Sequence, residues 1–278
     1  MTFIVSILAY WLSFCTQPVF VSDCQKPILS DTLKVWPVMA DRISGDPLGQ
    51  FYIVRSGTIV KYDVMGDSAY SWSDPQTGSI TMIDTGDPMR TLVYQKDFNL
   101  LRFLNNRLTP IAGVTRLDDL GIPFPIALAT SRQGGFWVLS GSTLSIRLVS
   151  PQLNTVVESA AINLPQTTDF EGYRLVESGD QLFLFIPGRE ILVFDLFANL
   201  VKKIPLKALS FQVYGNRILL IYPDRVILWK DPVTPEETIF QRASANIRDA
   251  YFSNNHLLIR TSDKVVLMIP EKTQGLAP

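Results

Sequence analysis

A pattern of a turn followed by an apolar strand recurs along this chain, and it constrains the fold more than any other feature. The repeats begin at spacings of 41, 44, 46, 36 and 39 residues. Each repeat has one apolar run before its main run and one after it, and the first five show a weaker fourth run. Four strands in about 40 residues is the period of a β-propeller blade. The first core residues of the six repeats are Phe51, Leu92, Phe136, Leu182, Ile218 and Leu257.

We therefore predict an all-β fold, a six-bladed β-propeller over residues 31–270 with four antiparallel strands in each blade. Clusters of Gly, Asn, Asp and Pro separate the apolar runs about every ten residues, which is typical of strands joined by hairpins. A pair of β-sandwiches also has short strands and tight turns, and is the alternative. Six repeats of similar length favour the propeller.

The two ends of the repeat region predict how the ring closes. The last repeat, residues 247–270, has only three strands, whereas an unassigned strand at residues 31–36 precedes the first repeat. A ring of blades leaves no exposed sheet edge when a strand from one end of the chain completes the blade at the other. We expect Leu33 to Trp36 to form the outer strand of the last blade.

Equivalent turns carry related sequences. Gly45-Asp46-Pro47 and Gly86-Asp87-Pro88 precede the main strand of the first and second repeats, and Ser131-Arg132-Gln133-Gly134 fills this place in the third. Asp or Ser caps backbone N–H groups in such a turn, and Gly permits a positive φ. The segment GDPLGQFYIV, residues 45–54, resembles blades of NHL-repeat and TolB-like six-bladed propellers. The resemblance covers residues 31–270 and implies an exported binding or scaffold protein from a poorly characterised bacterial group.

The N-terminus predicts export. Residues 3–14 form an uncharged apolar run that is too short for a transmembrane helix, which needs about 20 residues, and fits the core of a signal peptide. We assign residues 1–22 to a signal peptide cleaved after Cys15 or after Ser22, with no membrane span after its removal. The mature protein would lie in the periplasm or at the outer membrane, and residues 271–278 would be a disordered tail.

Cysteine usage leaves one further mode of membrane attachment open. Cys15 and Cys24 are the only cysteines, so no disulfide framework holds the fold. A lipid anchor on a cysteine is a weak alternative, because neither residue follows the small side chain expected before a lipidated cysteine. Cys15 is the better candidate of the two, because it directly follows the apolar run.

Composition argues against several classes of function. Lys plus Arg number 25 and Asp plus Glu 26, with no basic stripe, so nucleic-acid binding has no electrostatic support. His256 is the only histidine, which leaves a Ser-His-Asp arrangement or a zinc site short of residues. No nucleotide-binding motif is present. We therefore predict a protein without a cofactor that acts without catalysis, as a protein-interaction scaffold or recognition module in the bacterial cell envelope.

The predicted binding face carries the hairpins between the second and third strands of the blades. Guanidinium groups bind carboxylates bidentately, so Arg189 and Arg225 could hold a ligand or an acidic loop of a protein partner. The candidate ligand- or partner-binding residues are Arg55, Asp97, Arg189, Asp224 and Arg225.

Two alternatives stay open. The first is a calcium-dependent hydrolase that uses carboxylates of the central channel, and its candidate metal ligands are Asp84, Glu171 and Asp249. This alternative is similar to six-bladed lactonases, which hold calcium with Glu, Asn and Asp on inner strands and loops. The second is a sensor for a small ligand, a sugar or a peptide, which predicts an apolar central pocket with few charges.

Overall fold

The structure is a computed structural model that describes residues 30–165, 169–231 and 233–270. These residues form twenty-four strands and two short 3₁₀ helices, Lys96–Phe98 and Leu117–Leu120. The strands are, in chain order, β1 Ser30–Trp36, β2 Arg42–Gly45, β3 Phe51–Arg55, β4 Thr58–Tyr62, β5 Ser68–Ser73, β6 Met82–Asp84, β7 Thr91–Gln95, β8 Leu100–Leu104, β9 Thr115–Arg116, β10 Pro125–Thr130, β11 Phe136–Ser140, β12 Ile146–Val149, β13 Thr155–Glu158, β14 Arg174–Ser178, β15 Gln181–Ile186, β16 Glu190–Asp195, β17 Leu200–Pro205, β18 Ser210–Tyr214, β19 Arg217–Ile221, β20 Arg225–Trp229, β21 Glu237–Gln241, β22 Asp249–Ser253, β23 His256–Arg260 and β24 Val265–Pro270.

The strands pair into six antiparallel sheets of four strands, which are the blades of a propeller. Blades 1 to 5 each use four consecutive strands, from β2–β5 to β18–β21. Blade 6 has the order β22, β23, β24, β1. The first strand of each blade in this order is innermost and faces the central channel. The structure confirms the predicted six-bladed, all-β propeller.

The N-terminal strand closes the ring as predicted. β1 pairs antiparallel with β24, with Trp36 directly opposite Val265. The Trp36 ring also packs on Tyr62 of blade 1, with ring centroids 4.9 Å apart. One short strand therefore completes blade 6 through backbone pairing and contacts blade 1 through its side chain.

The hydrophobic core lies between neighbouring blades. Each sheet buries both faces, so a middle strand such as β11 has every side chain buried. Between blades 4 and 5, Phe185 stacks on Phe211 with ring centroids 4.9 Å apart and planes inclined by 19°. Burial of apolar surface, worth about 25 cal/mol per Å², therefore stabilises the contact between blades and not each blade alone.

The repeated Gly-Asp-Pro turn is structural. Asp46, Asp87 and Ser131 each accept a hydrogen bond from the backbone N–H two residues later, at 3.0, 2.9 and 3.2 Å. Gly49 and Gly134 take φ values of +83° and +95° in these turns, a region that L side chains avoid. The predicted capping role of the turn residues is confirmed.

Asp46 also takes part in a buried polar network between blades 1 and 2. Its Oδ2 accepts a hydrogen bond of 2.8 Å from the Tyr52 hydroxyl and lies 3.6 Å from Lys61 Nζ. Lys61 Nζ donates to the Asn106 carbonyl of blade 2 at 2.9 Å. Burial lowers the pKa of Lys61, and the carboxylate of Asp46 opposes this shift. A buried charge needs such partners, so the network joins this turn to the neighbouring blade.

A second turn repeats between the third and fourth strands of blades 1 to 5. In each, the first side chain accepts a hydrogen bond from a backbone N–H two to four residues later. Such side-chain caps replace backbone hydrogen bonds that the turn cannot make. These first residues are Asp63, Asn105, Ser150, Asp195 and Asp231.

The fourth strand of blade 2 differs from the expectation. The apolar segment 108–113 suggests this strand, and its Pro110 does form an isolated bridge with Leu104, but the strand itself is β9, Thr115–Arg116. Leu108 adopts φ +58° within the turn, and Pro110 has no N–H with which to extend a strand ladder. The segment that follows β9 forms a single helical turn, the 3₁₀ helix Leu117–Leu120.

Several expectations about the ends of the chain lie outside the described residues. These are the signal peptide at residues 1–22, the lipid anchor on Cys15 and the tail at residues 271–278. Within the described ranges, no helix has the length and apolar character needed to span a bilayer.

Loss of the Trp36 ring should destabilise the closed ring. We expect Trp36→Ala to lower the free energy of unfolding by about 2 kcal/mol, less than a fully buried Trp would lose, because the side chain is half-buried. Val35 on the same strand is 48% exposed, so Val35→Ala should change the free energy of unfolding by less than about 0.5 kcal/mol. Urea unfolding measures both variants. Equal losses would contradict the closing role of Trp36.

Relief of backbone strain should stabilise the outer turn of blade 3. Leu153 has φ +65° and is 43% exposed, so its side chain gains little from burial. A non-glycine residue in the left-handed region costs about 1–2 kcal/mol of stability. Replacement by Gly removes this cost but raises the conformational entropy of the unfolded chain, which cancels part of the gain. We expect Leu153→Gly to be more stable than Leu153→Ala by about 0.5–1 kcal/mol in urea unfolding. A Gly variant no more stable than the Ala variant would show that the turn is unstrained.

Candidate functional site

The innermost strands enclose a cavity of ≈ 610 Å³ along the central channel. This volume is in the range of small-ligand pockets, about 300–1,000 Å³. Aromatic and apolar side chains contribute to the lining, but charged groups are also frequent, unlike the pocket with few charges that the small-ligand sensor predicts. The charged lining residues are Arg42, Asp84, Lys96, Arg132, Asp169, Glu171, Arg174 and Glu177.

The two ends of the channel differ in the loops that surround them. All innermost strands begin at one end, so the loops between blades and the hairpins between second and third strands share that face, named here the inter-blade face. Arg42 and Arg174 are the first residues of β2 and β14 and lie there. The turns between first and second strands lie on the opposite face, where Gly45 ends β2.

Asp84 joins blade 2 to blade 3. One oxygen of its carboxylate accepts hydrogen bonds from the Thr130 backbone N–H at 2.6 Å and the Thr130 hydroxyl at 2.7 Å, and the other accepts from Gly86 N–H at 3.0 Å. Burial raises the pKa of Asp84, whereas these hydrogen bonds oppose the increase. The carboxylate is therefore committed to an inter-blade contact.

Asp249 joins three blades on the other side of the channel. Its Oδ1 accepts from the Ser210 hydroxyl of blade 5 at 2.8 Å and from its neighbour's backbone, Ala250 N–H, at 3.0 Å. Its Oδ2 accepts from Arg174 of blade 4. The Asp249 side chain is only 2% exposed, so these bonds replace the water that the charge has lost.

Glu177 joins blade 4 to blade 3. Its Oε1 accepts from the Arg132 backbone N–H at 3.0 Å, and its Oε2 accepts from the indole N–H of the fully buried Trp137. The sequence interpretation missed Glu177 and Arg174. A clue exists, because both lie in the innermost strand of their repeat, and Arg174 and Arg42 are both the first residue of such a strand.

A contiguous group of aromatic rings borders the cavity at the inter-blade face, and we name Phe124, Phe170 and Tyr173 the aromatic ridge. Ring centroids are 5.9 Å apart for the first pair and 5.4 Å for the second. Lys96 Nζ of blade 2 lies 6.0 Å from the Phe124 centroid. Phe124 packs against the backbone of Gly141, where a Cβ atom would lie only 2.1 Å from the ring, so this position requires Gly.

The five predicted surface residues all lie on hairpins of the inter-blade face, but they are spread over four blades, and only Asp224 and Arg225 share a hairpin. Most have local partners. Asp97 accepts from the Ser79 backbone N–H at 3.0 Å. The remaining contacts are ion pairs of 3.2 Å, Arg189 with Glu190 and Arg225 with Asp224. The Arg55 side chain has no hydrogen bond or ion pair within the described ranges.

The predicted calcium ligands occupy different surroundings. Asp84 and Glu171 line the cavity, whereas Asp249 is buried beside it and paired with Arg174. Among the residues that the structure describes, no group of three or more His, Cys, Asp or Glu residues is placed to hold a metal ion. The calcium site stays a hypothesis that the geometry gives no additional reason to favour.

His256 lies away from the cavity. It is the first residue of β23, its Nδ1 lies 2.7 Å from the Asn254 carbonyl oxygen, and its ring contacts Phe51 edge-on at 6.4 Å. The only histidine of the chain is therefore a packing residue at the edge of blades 6 and 1.

The sequence matches no protein-family model, and a search of curated proteins gives no significant match. Solved structures match it by fold. A catalytically inactive histidine-to-alanine form of virginiamycin B lyase from Staphylococcus aureus, with quinupristin, has a TM-score of 0.52 at 11% identity, over 84% of this chain and 78% of the lyase.

Two further propellers have a similar likeness. BBS1N in complex with ARL6DN has a TM-score of 0.51 at 13% identity, over 84% of this chain and 78% of that one. BamB from Moraxella catarrhalis has a TM-score of 0.50 at 11% identity, over 87% of this chain and 100% of that one. At these identities the comparisons establish the propeller fold that the three proteins share with this chain.

The pH dependence of stability should reveal the buried carboxylate of Asp84. A raised carboxyl pKa means that the folded state holds the proton more tightly, so the contribution of this group is complete at low pH and is lost as pH rises. We expect Asp84→Asn to gain stability relative to the unmodified protein as pH rises above about 4. Urea unfolding across pH measures the difference. A constant difference, or one that favours Asp84 at higher pH, would contradict this assignment.

Proposed function

We propose that this chain is a non-catalytic recognition propeller that is exported to the bacterial cell envelope and binds a protein partner on its inter-blade face. The aromatic ridge is the observation that carries the proposal. Aromatic side chains provide large contact areas at little entropic cost and are enriched at protein interfaces. Phe124 is 38% exposed, and Phe98 on the adjacent hairpin is 50% exposed, so apolar surface extends beyond the cavity.

The use of the cavity carboxylates supports a role without catalysis. General acid–base catalysis needs a carboxyl group within reach of a substrate. Asp84 and Glu177 line the cavity, but their carboxylate oxygens, like those of buried Asp249, already accept hydrogen bonds from neighbouring blades. Their charges hold the channel together, and recognition is left to the aromatic and cationic side chains around it.

The lyase comparison supports the same interpretation. The Staphylococcus aureus lyase has a form described as catalytically inactive after replacement of a histidine. The one histidine of this chain, His256, contacts Asn254 and Phe51 and does not line the cavity. This chain therefore offers no histidine to chemistry in its channel.

The nature of the partner follows from the charges on the inter-blade face. Arg55 has no partner within the described ranges, and Lys96 is exposed beside the aromatic ridge. A partner segment with an aromatic or aliphatic anchor and an acidic side chain would complement both features. BBS1N, which shares the fold, was solved in complex with another protein, a mode of action that the proposal extends to this chain.

The envelope location rests on the N-terminal sequence. The uncharged apolar run at residues 3–14 is typical of a signal peptide, and the resemblance to exported propellers agrees with it. Fractionation of cells that express the full chain tests this part separately. Recovery of the protein with cytoplasmic markers would contradict export without affecting the binding face.

Site-specific cross-linking tests the binding face. A photo-reactive amino acid at Phe98 lies on the inter-blade face, and one at Met89 lies on the opposite face of the same blade with nearly equal exposure, 50% and 56%. In cells of the source organism we expect a protein adduct of defined mass from Phe98 and none from Met89. Adducts from Met89 alone, or none from either position, would refute the proposed face.

A further inference from the structure

Four arginines and the carboxylate of Asp249 lie at the inter-blade end of the channel. Arg42 and Arg174 begin β2 and β14, Arg248 precedes β22, and Arg260 ends β23. Asp249 is the first residue of β22 and lies opposite Arg260 in the strand register. The antiparallel topology therefore places all five side chains at one mouth, although they come from blades 1, 4 and 6.

The carboxylate of Asp249 already has hydrogen-bond partners. Asp249 accepts hydrogen bonds from Arg174 and from the Ser210 hydroxyl, and it is almost fully buried. One carboxylate can balance only one of the four guanidinium charges. Arg42, Arg248 and Arg260 form no ion pair within the described residues, so their positive charges at the channel mouth have no direct carboxylate partner.

The remaining arginines lack carboxylate acceptors. Arg260 Nη1 donates to the Ala40 carbonyl at 3.3 Å, but its Nε is buried without a hydrogen-bond partner. Arg42 lines the cavity, and neither its side chain nor that of Arg248 makes a hydrogen bond or ion pair within the described part of the chain. The buried Nε of Arg260 costs about 1–3 kcal/mol without an acceptor, which a bound anion would recover, whereas Arg42 is half-buried and Arg248 is exposed.

Other carboxylates near this mouth, those of Asp41, Glu171 and Asp169, lie outside the group of arginines. Asp41 is exposed, and its Oδ2 accepts from the Ser56 backbone N–H at 2.7 Å, so it caps a hairpin of blade 1. Glu171 and Asp169 line the cavity beside the aromatic ridge, on the loop that leads into blade 4. Burial lowers the pKa of Arg260, the carboxylate of Asp249 opposes this shift, and the charges of Arg42, Arg174 and Arg248 add to it, as expected for guanidinium groups gathered together.

We propose that Arg42, Arg248 and Arg260 bind the phosphate group of a small ligand at the mouth of the central cavity. Guanidinium groups bind phosphate oxygens bidentately, and a phosphate monoester carries about −1.5 to −2 charges, closer to the excess of the site than the single charge of a carboxylate. The cavity of ≈ 610 Å³ has room for the rest of the ligand. This site goes beyond the protein partner proposed above and does not depend on it.

Calorimetry with inorganic phosphate at constant ionic strength tests the site. We expect the full chain to bind phosphate with saturation, and Arg42→Gln and Arg248→Gln each to weaken binding about tenfold or more. Neither side chain makes a contact that holds the fold, so both variants should unfold at the same urea concentration as the unmodified protein. Arg55→Gln is the matched control, because Arg55 is another unpartnered arginine of the same face on a hairpin away from the channel.

The possible outcomes separate a phosphate site from general charge. Absence of phosphate binding, or an equal loss in Arg55→Gln, would refute the proposal. Acetate that binds as tightly as phosphate would refute the assignment of phosphate. The same phosphate could belong to a lipid headgroup, so vesicles of phosphatidylglycerol are a further arm. Vesicle binding that disappears in Arg42→Gln would overturn the small-ligand assignment, and unbound vesicles would support it, because Arg42 lines the cavity and is half-buried.

Discussion

Closure of the ring by a strand from the far end of the sequence is the constraint on which the rest of the structure depends. Each blade buries both of its faces against neighbours, so an open ring would expose apolar surface on two blades and an unpaired sheet edge. The pairing of β1 with β24 removes that edge, and the contact of Trp36 with Tyr62 seals blade 6 to blade 1. The shape of the central cavity follows from this closure.

Carboxylates on the innermost strands, buried at Asp84 and Asp249 and half-buried at Glu177, then fix the channel from within. Asp84 links blades 2 and 3, Glu177 links blades 3 and 4, and Asp249 links blades 4, 5 and 6. A buried charge is costly unless hydrogen bonds replace its water, so each of these contacts favours one arrangement of neighbouring blades. Because these carboxylates bond to neighbouring blades, other arginines at the inter-blade end of the channel have no carboxylate partner. Exposed aromatic rings lie beside them. Structure and proposed recognition therefore arise from one distribution of charge.

The sequence predicts the blades well because the repeat is local and redundant. Turn residues such as Asp46 and Ser131 act through backbone groups only a few residues away, so their role is readable without tertiary structure. Ring closure is also predictable, because one repeat lacks a strand and one strand lacks a repeat. The position of the fourth strand of blade 2 is harder to predict, because the positive φ of Leu108 is unusual for a leucine.

The site is less predictable, because it depends on contacts between distant repeats. Arg174 and Asp249 are 75 residues apart, and nothing in either local sequence indicates that they pair. The predicted surface residues do lie on one face, but their short hairpins give most of them local partners such as Glu190 for Arg189. Central positions contributed by several blades, such as Arg42, become recognisable only when the channel brings them together.

Native-state hydrogen exchange of the closing strand tests the account most directly. The hydrogen-bonded amides of β1 should exchange only through global unfolding, with the same free energy of opening as those of β23 in the middle of the same blade. That result would show that the ring opens only when the whole propeller unfolds. If β1 amides exchange much faster than those of β23, the strand detaches by itself, and closure is not the constraint that holds the structure.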